Sequence, residues 1–182
     1  MTTLRCTRKV LDRLGGESAE GPSALRGALG DWYCNLKSLP YRGRSVVFFV
    51  NEATRLTVVV PGRASRRVLP LFRERTLALL SRLDVPEAAL EREAEALAEL
   101  RLARTQSRSV LGSMVEIGLE IDAMAEASET FQAISWDSIE LELSDWLHGP
   151  LDYERPWRIA QRLLRETRQP TLAKVLPFRP RS

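Results

Sequence analysis

Two short runs of β-branched and aromatic residues constrain this chain more than any other feature. Ser45–Val50 (SVVFFV) and Leu56–Val60 (LTVVV) are joined by five residues, Asn51–Arg55 (NEATR). Runs of this length and composition, separated by turn formers, predict the two strands of a β-hairpin. A strand with one solvated face alternates apolar and polar residues, and these runs do not. Their near-continuous apolarity predicts cover on both faces of the hairpin. Pro61-Gly62 ends the second strand.

The cover has to come from helices. Ser65–Leu83 places Val68, Leu69, Phe72, Leu79, Leu80 and Leu83 at helical spacing, with Pro70 close to the start. Asp84–Glu87 (DVPE) has the acidic cap, early proline and glutamate of a helix entry, and the helix it opens is expected to reach about Leu102. That helix turns Glu91, Glu93, Glu95 and Glu99 outward. Ser109–Ala125 carries Val110, Met114, Ile117, Ile121 and Met124 at alternating steps of four and three, a narrow buried seam. Trp136–Leu147, capped by Ser135, and Pro156–Glu166 complete the set. Toward the N-terminus, Thr2–Thr7 reads as a strand, Arg8–Leu14 as a helix, Gly15–Gly30 as a loop, and Trp32–Leu36 as ordered chain. The expected fold is α+β, a small antiparallel sheet with the hairpin at its centre, packed against four to five helices. Residues 1–168 form one domain in this reading, and 169–182 a basic, proline-containing, mobile tail.

Charge is segregated along the chain although the formal net charge is only +3. Residues 1–84 carry 15 basic and 7 acidic side chains, net +8; residues 85–154 carry 4 and 16, net −12; residues 155–182 carry 8 and 1, net +7. Lys9, Lys37 and Lys174 are the only lysines, so the cations are almost all guanidinium groups, which fit phosphate and carboxylate forks. Either the acidic middle folds against the basic ends, or the basic ends meet a polyanion.

No apolar segment is long enough to span a bilayer, and Met1–Leu11 lacks a secretory h-region. Cys6 and Cys34 are then expected as reduced, buried thiols of a cytoplasmic protein. His148 is the only histidine and no CxxC spacing occurs, so neither a metal site nor a cofactor is expected. No P-loop, GxSxG, HExxH or dinucleotide fingerprint is present. A triad would have to recruit His148, beside a Gly-Pro helix break. The sequence leans away from an enzyme.

Four segments, in this order, carry a resemblance: CTRKVLDRL (Cys6–Leu14), LGDWYCNL (Leu29–Leu36), FVNEATRLTVVVP (Phe49–Pro61) and RTQSRSVLGSM (Arg104–Met114). The chain resembles, over roughly residues 4–155, an uncharacterised bacterial family, a domain of unknown function linked to plasmid and mobile-element open reading frames. RSVLGSM is its most specific part. Where the family continues with an Asn-Asp pair and an aromatic, this chain has Val115-Glu116-Ile117, so no role of that Asn carries over. The resemblance implies no activity.

Two constellations stand out. Arg104, Thr105, Ser107, Arg108 and Ser109 form a polar run entering the seam helix, where free amides and arginines suit an anion such as phosphate. Plain capping by Ser107 or Ser109 is the alternative. Arg155, Arg158, Arg162 and Arg165 recur at three, four and three residues and share one helical face, either a phosphate-tracking stripe or a solvated face paired with the acidic middle. Asn51-Glu52 reads as turn chemistry, and Trp32-Tyr33 as core rather than a base-stacking platform. The expected function is that of a non-enzymatic cytoplasmic binding protein, nucleic-acid-associated or part of a mobile-element or toxin–antitoxin-like system. The alternative is a protein–protein adaptor that uses acidic helices and a basic tail; a metal-dependent nuclease is a third reading.

Overall fold

The computed structural model describes residues 1–17 and 27–166. In chain order the elements are β1 (Thr2–Cys6), α1 (Arg8–Leu14), β2 (Trp32–Ser38), β3 (Ser45–Asn51), β4 (Thr57–Pro61), α2 (Val68–Arg82), α3 (Glu87–Ala98), β5 (Leu100–Arg104), α4 (Arg108–Glu126), α5 (Trp136–Asp145) and α6 (Pro156–Glu166). The strands form one sheet in the order β4-β3-β2-β1-β5. β3 pairs antiparallel with β2 and β4, whereas β1 runs parallel to β2 and β5.

The α+β class holds, with two corrections. The sheet is mixed rather than antiparallel, because α1 lies between β1 and β2 and a connection through a helix returns the next strand parallel to the first. The hairpin β3–β4 sits at an edge, with β2 central. Leu100–Arg104 leaves the expected helix at Ala98 and pairs with β1, Thr2 opposite Leu100 and Cys6 opposite Arg104. A strand added on that side moves the hairpin to the opposite margin.

Both faces of the hairpin are covered, as its apolarity requires. Val47, Phe49, Val58 and Val60 point to one side with Leu4, Trp32 and both cysteines, under Leu11 and Leu14 of α1, Phe72 and Leu79 of α2 and Leu97 of α3. Val46, Phe48, Val50 and Val59 point to the other side with Tyr33, under Val110, Met114, Ile117 and Ile121 of α4 and Ile139 and Leu143 of α5. The period of two in the strands thus feeds two separate cores. Ser107 and Ser135 cap α4 and α5 by accepting the amides of Val110 and Ser138, each at 3.3 Å.

Glu93 is not an outward side chain. It is buried in α3, where its carboxylate accepts the backbone N–H groups of Ala28 and Leu29. Burial pushes its carboxyl above the ordinary range, against the pull of those amides. The tail 169–182 and the middle of the Gly15–Gly30 loop lie outside the described residues. Among the described residues no helix is long and apolar enough to cross a membrane.

Candidate functional site

The polar run before α4 is divided between two sides of the sheet. Arg104 pairs with Glu17, and with Thr105 it lines a cleft shared by Cys6, Arg8 and Asp12. Ser107 and Ser109 face the α4 side. The Ser107 N–H donates to the Tyr33 hydroxyl at 3.0 Å, and that hydroxyl donates to Glu52 Oε1 at 3.2 Å. Arg108 is exposed.

Ser109, itself exposed, reaches a centre around Arg55, a residue 5% exposed in the hairpin loop. The Arg55 guanidinium donates through Nε to Ser113 Oγ and through Nη2 to Ser109 Oγ, both at 3.2 Å, and through Nη1 to the Glu52 carbonyl. Its backbone adopts φ +62°, a left-handed conformation that costs a non-glycine residue roughly 1–2 kcal/mol. Asn51 stabilises that loop: its amide NH2 donates to the carbonyls of Leu29 and Asp31, while its Oδ1 accepts from the Ala53 and Thr54 amides. Burial lowers the Arg55 pKa and Glu52 opposes the shift. His148 is 2% exposed, and its Nε2 has no hydrogen-bond partner among the described residues. Burial first, and the charge of Arg55 second, bring its pKa down to about 4. The hydrogen bonds of Arg55 tie the hairpin loop to α4.

Cys6 and Cys34 are buried on the opposite face, Cα partners on adjacent strands. Burial holds the Cys34 thiol well above its ordinary pKa, which keeps it protonated. Among the described residues no three His, Cys, Asp or Glu side chains gather to hold a metal ion.

The α6 stripe is partly neutralised. Arg155 donates to Asp145 at 2.6 Å, and Arg162 forms a two-pronged pair with Glu154 at 2.7 and 3.1 Å. Arg158 lies over the Trp157 ring, 5.2 Å from its centroid. Arg165 has no carboxylate partner among the described residues.

A cleft that no single segment announces lies at the other end of β3 and β4 from the Arg55 centre. It has a volume of about 620 Å³ and is lined by Lys9 and Arg13 of α1, Arg42 and Arg44 of the β2–β3 turn, and Arg63 after β4. No carboxylate lines it, and none of the five cations pairs with one among the described residues. Local structure sets the spacing. The Arg44 N–H bonds the Tyr41 carbonyl at 3.0 Å, and Gly43, at φ +70°, occupies the third position of that turn, where a left-handed residue is required. Arg42 and Arg44 therefore flank one glycine. Arg63 follows Gly62, whose N–H bonds Ser45 O at 2.8 Å. The Arg44 guanidinium lies over Phe131, 4.7 Å from the ring centroid. Five uncompensated positive charges around a concavity concentrate the field and attract anions.

The sequence signals missed this cleft because its cations come from three separated segments. Only the net charge of residues 1–84 pointed toward it.

The fold and this cleft define a class: a mixed α+β protein with a cationic recess. The chain belongs to the family described as Domain of unknown function (DUF6933), whose model matches residues 3–159. An uncharacterised family is what the four segments had suggested. No curated protein and no solved structure matches the chain.

Proposed function

We propose that this is a non-enzymatic binding protein that holds the phosphate backbone of nucleic acid in the cleft of Lys9, Arg13, Arg42, Arg44 and Arg63. The observation that carries this reading is the convergence of five cations on one recess with no lining carboxylate among the described residues. Four of them are guanidinium forks, which match phosphate oxygens in pairs. The resemblance to a bacterial family linked to plasmid and mobile-element open reading frames fits a bacterial, cytoplasmic protein that handles nucleic acid within such a system. Fluorescence anisotropy with labelled oligonucleotides between 50 and 200 mM salt, on the order of the range where phosphate contacts dominate, tests it. Replacing Arg13 and Arg63 together by Ala should flatten the plot of log affinity against log salt by about 1.4–1.8. A wild-type protein that binds neither single nor double strands at low salt removes the reading.

A second reading, the protein–protein adaptor, is favoured by the outer face of α4. Val115 and Leu119, one turn apart, are 67% and 60% exposed beside Glu116 and Glu120. An apolar stripe between acidic residues suits a cationic amphipathic partner. Partner capture lost in Val115→Ser and retained in the Arg13/Arg63 variant would favour the adaptor.

A further inference from the structure

We infer that the cleft selects single-stranded over duplex nucleic acid, by holding a base against Tyr41 while the surrounding arginines hold the phosphates. The inference rests on the nucleic-acid reading above and goes beyond it in naming the form of the ligand.

Shape gives the first argument. A recess of about 620 Å³ that stands open to solvent has room for on the order of one or two nucleotides. Duplex recognition works in the opposite sense, with a protein element projecting into a groove about 12 Å wide. Here the cations line an open recess, into which an unpaired strand can turn a base and a stiff duplex cannot.

The lining gives the second argument. Between the cations lie Leu36, Leu39, Pro40 and Tyr41. The Tyr41 hydroxyl lies 2.8 Å from the Ala125 carbonyl and 2.6 Å from that of Ser128, so it is committed to the end of α4. What Tyr41 offers a ligand is its ring, already held in place, which lowers the ordering cost of stacking. Phe131 meets the Tyr41 ring edge-on at 6.1 Å and carries the Arg44 guanidinium on its face. Arg44 is thereby held beside Tyr41 at the cleft, where its charge can meet a phosphate. Aromatic rings interleaved with cations are how sequence-tolerant single-strand sites are built, because every base has a π-face. A paired base is already stacked inside its duplex and cannot use such a surface.

The test is an anisotropy titration at one low salt concentration. The probes are a twelve-nucleotide oligo-dT, its oligo-U counterpart, a hairpin duplex with the same number of phosphates, and a labelled nucleoside triphosphate. The inference expects one or both single strands to bind at least about tenfold more tightly than the hairpin. It also expects Tyr41→Leu to weaken single-strand binding by about tenfold with little effect on the hairpin, while Tyr41→Phe retains the wild-type preference. Circular dichroism melts select variants that remain folded, and Arg42→Ser, on the exposed turn, serves as a second variant should Tyr41→Leu unfold; it should weaken the single strands more than the hairpin. A hairpin bound as tightly as the single strands overturns the inference and leaves the nucleic-acid reading standing. A nucleoside triphosphate bound as tightly as the single strands overturns it in favour of a small ligand. No binding of any probe removes both.

Discussion

The carboxylate of Glu140, on α5, accepts the backbone N–H of Val59, in the edge strand β4, at 2.8 Å. Glu140 is fully buried and sits between Arg75, at 2.9 Å, and Arg82, at 3.4 Å. An edge strand presents unpaired N–H groups that invite pairing with other chains, and here a side chain occupies one of them. Glu140→Ala would leave that amide unsatisfied and Arg75 without its buried partner, with only the exposed Asp137 remaining. Breaking a pair of this kind costs on the order of 3 kcal/mol, which lowers the melting temperature by roughly 6–12 °C. A melt within about 1 °C of wild type would show the contact to be dispensable.

His148 gives the protein an acid limb of known sign. Its ordinary pKa is 6.5 and the folded value is about 4, because burial and the Arg55 charge disfavour the imidazolium. Between these values the unfolded chain binds a proton that the folded chain does not, so stability rises with pH through the window. The contribution is fully present above pH 6.5 and is lost as the pH falls toward 4, up to about 3 kcal/mol. As the only histidine, it gives a single imidazole resonance. That resonance should stay in the neutral position down to about pH 5; a midpoint near 6.5 contradicts the buried geometry.

Arg55→Lys tests the tie between the hairpin loop and α4. A lysine keeps the charge and loses the fork that reaches Ser109 and Ser113 together. Unsatisfied buried donors and acceptors cost about 1–3 kcal/mol, readable as a lower urea midpoint with an unchanged slope. An unchanged midpoint would mean that the α4 serines do not anchor the loop.

The α6 stripe and the cleft make opposite predictions. Arg162 is engaged by Glu154, so Arg158→Ala with Arg162→Ala should leave the salt dependence of binding close to wild type. The Arg13/Arg63 variant should flatten it by about 1.4–1.8. A larger effect from the stripe would move the binding surface to α6.

Local patterns in the amino-acid sequence determined much of this protein. The α4 seam, the caps Ser107 and Ser135, the two hairpin strands and the helix Pro156–Glu166 were legible because helical period, strand period and capping are properties of neighbouring residues. Tertiary structure decided the rest. Leu100–Leu102 reads as the end of the helix that starts at Glu87 and instead opens the strand β5, because β1 offers it a ladder. Glu93 reads as a solvated helix residue and is buried because distant amides receive its carboxylate. Ser109 stands in a run that suggested an anion site, and the fold gives its hydroxyl to Arg55. Beyond the net charge of residues 1–84 the cleft has no sequence signature: Lys9, Arg42 and Arg63 share it only because the strand order brings α1, the β2–β3 turn and the end of β4 to one place. Pairing and charge compensation between residues far apart in the chain depend on which elements become neighbours, and no local pattern encodes that.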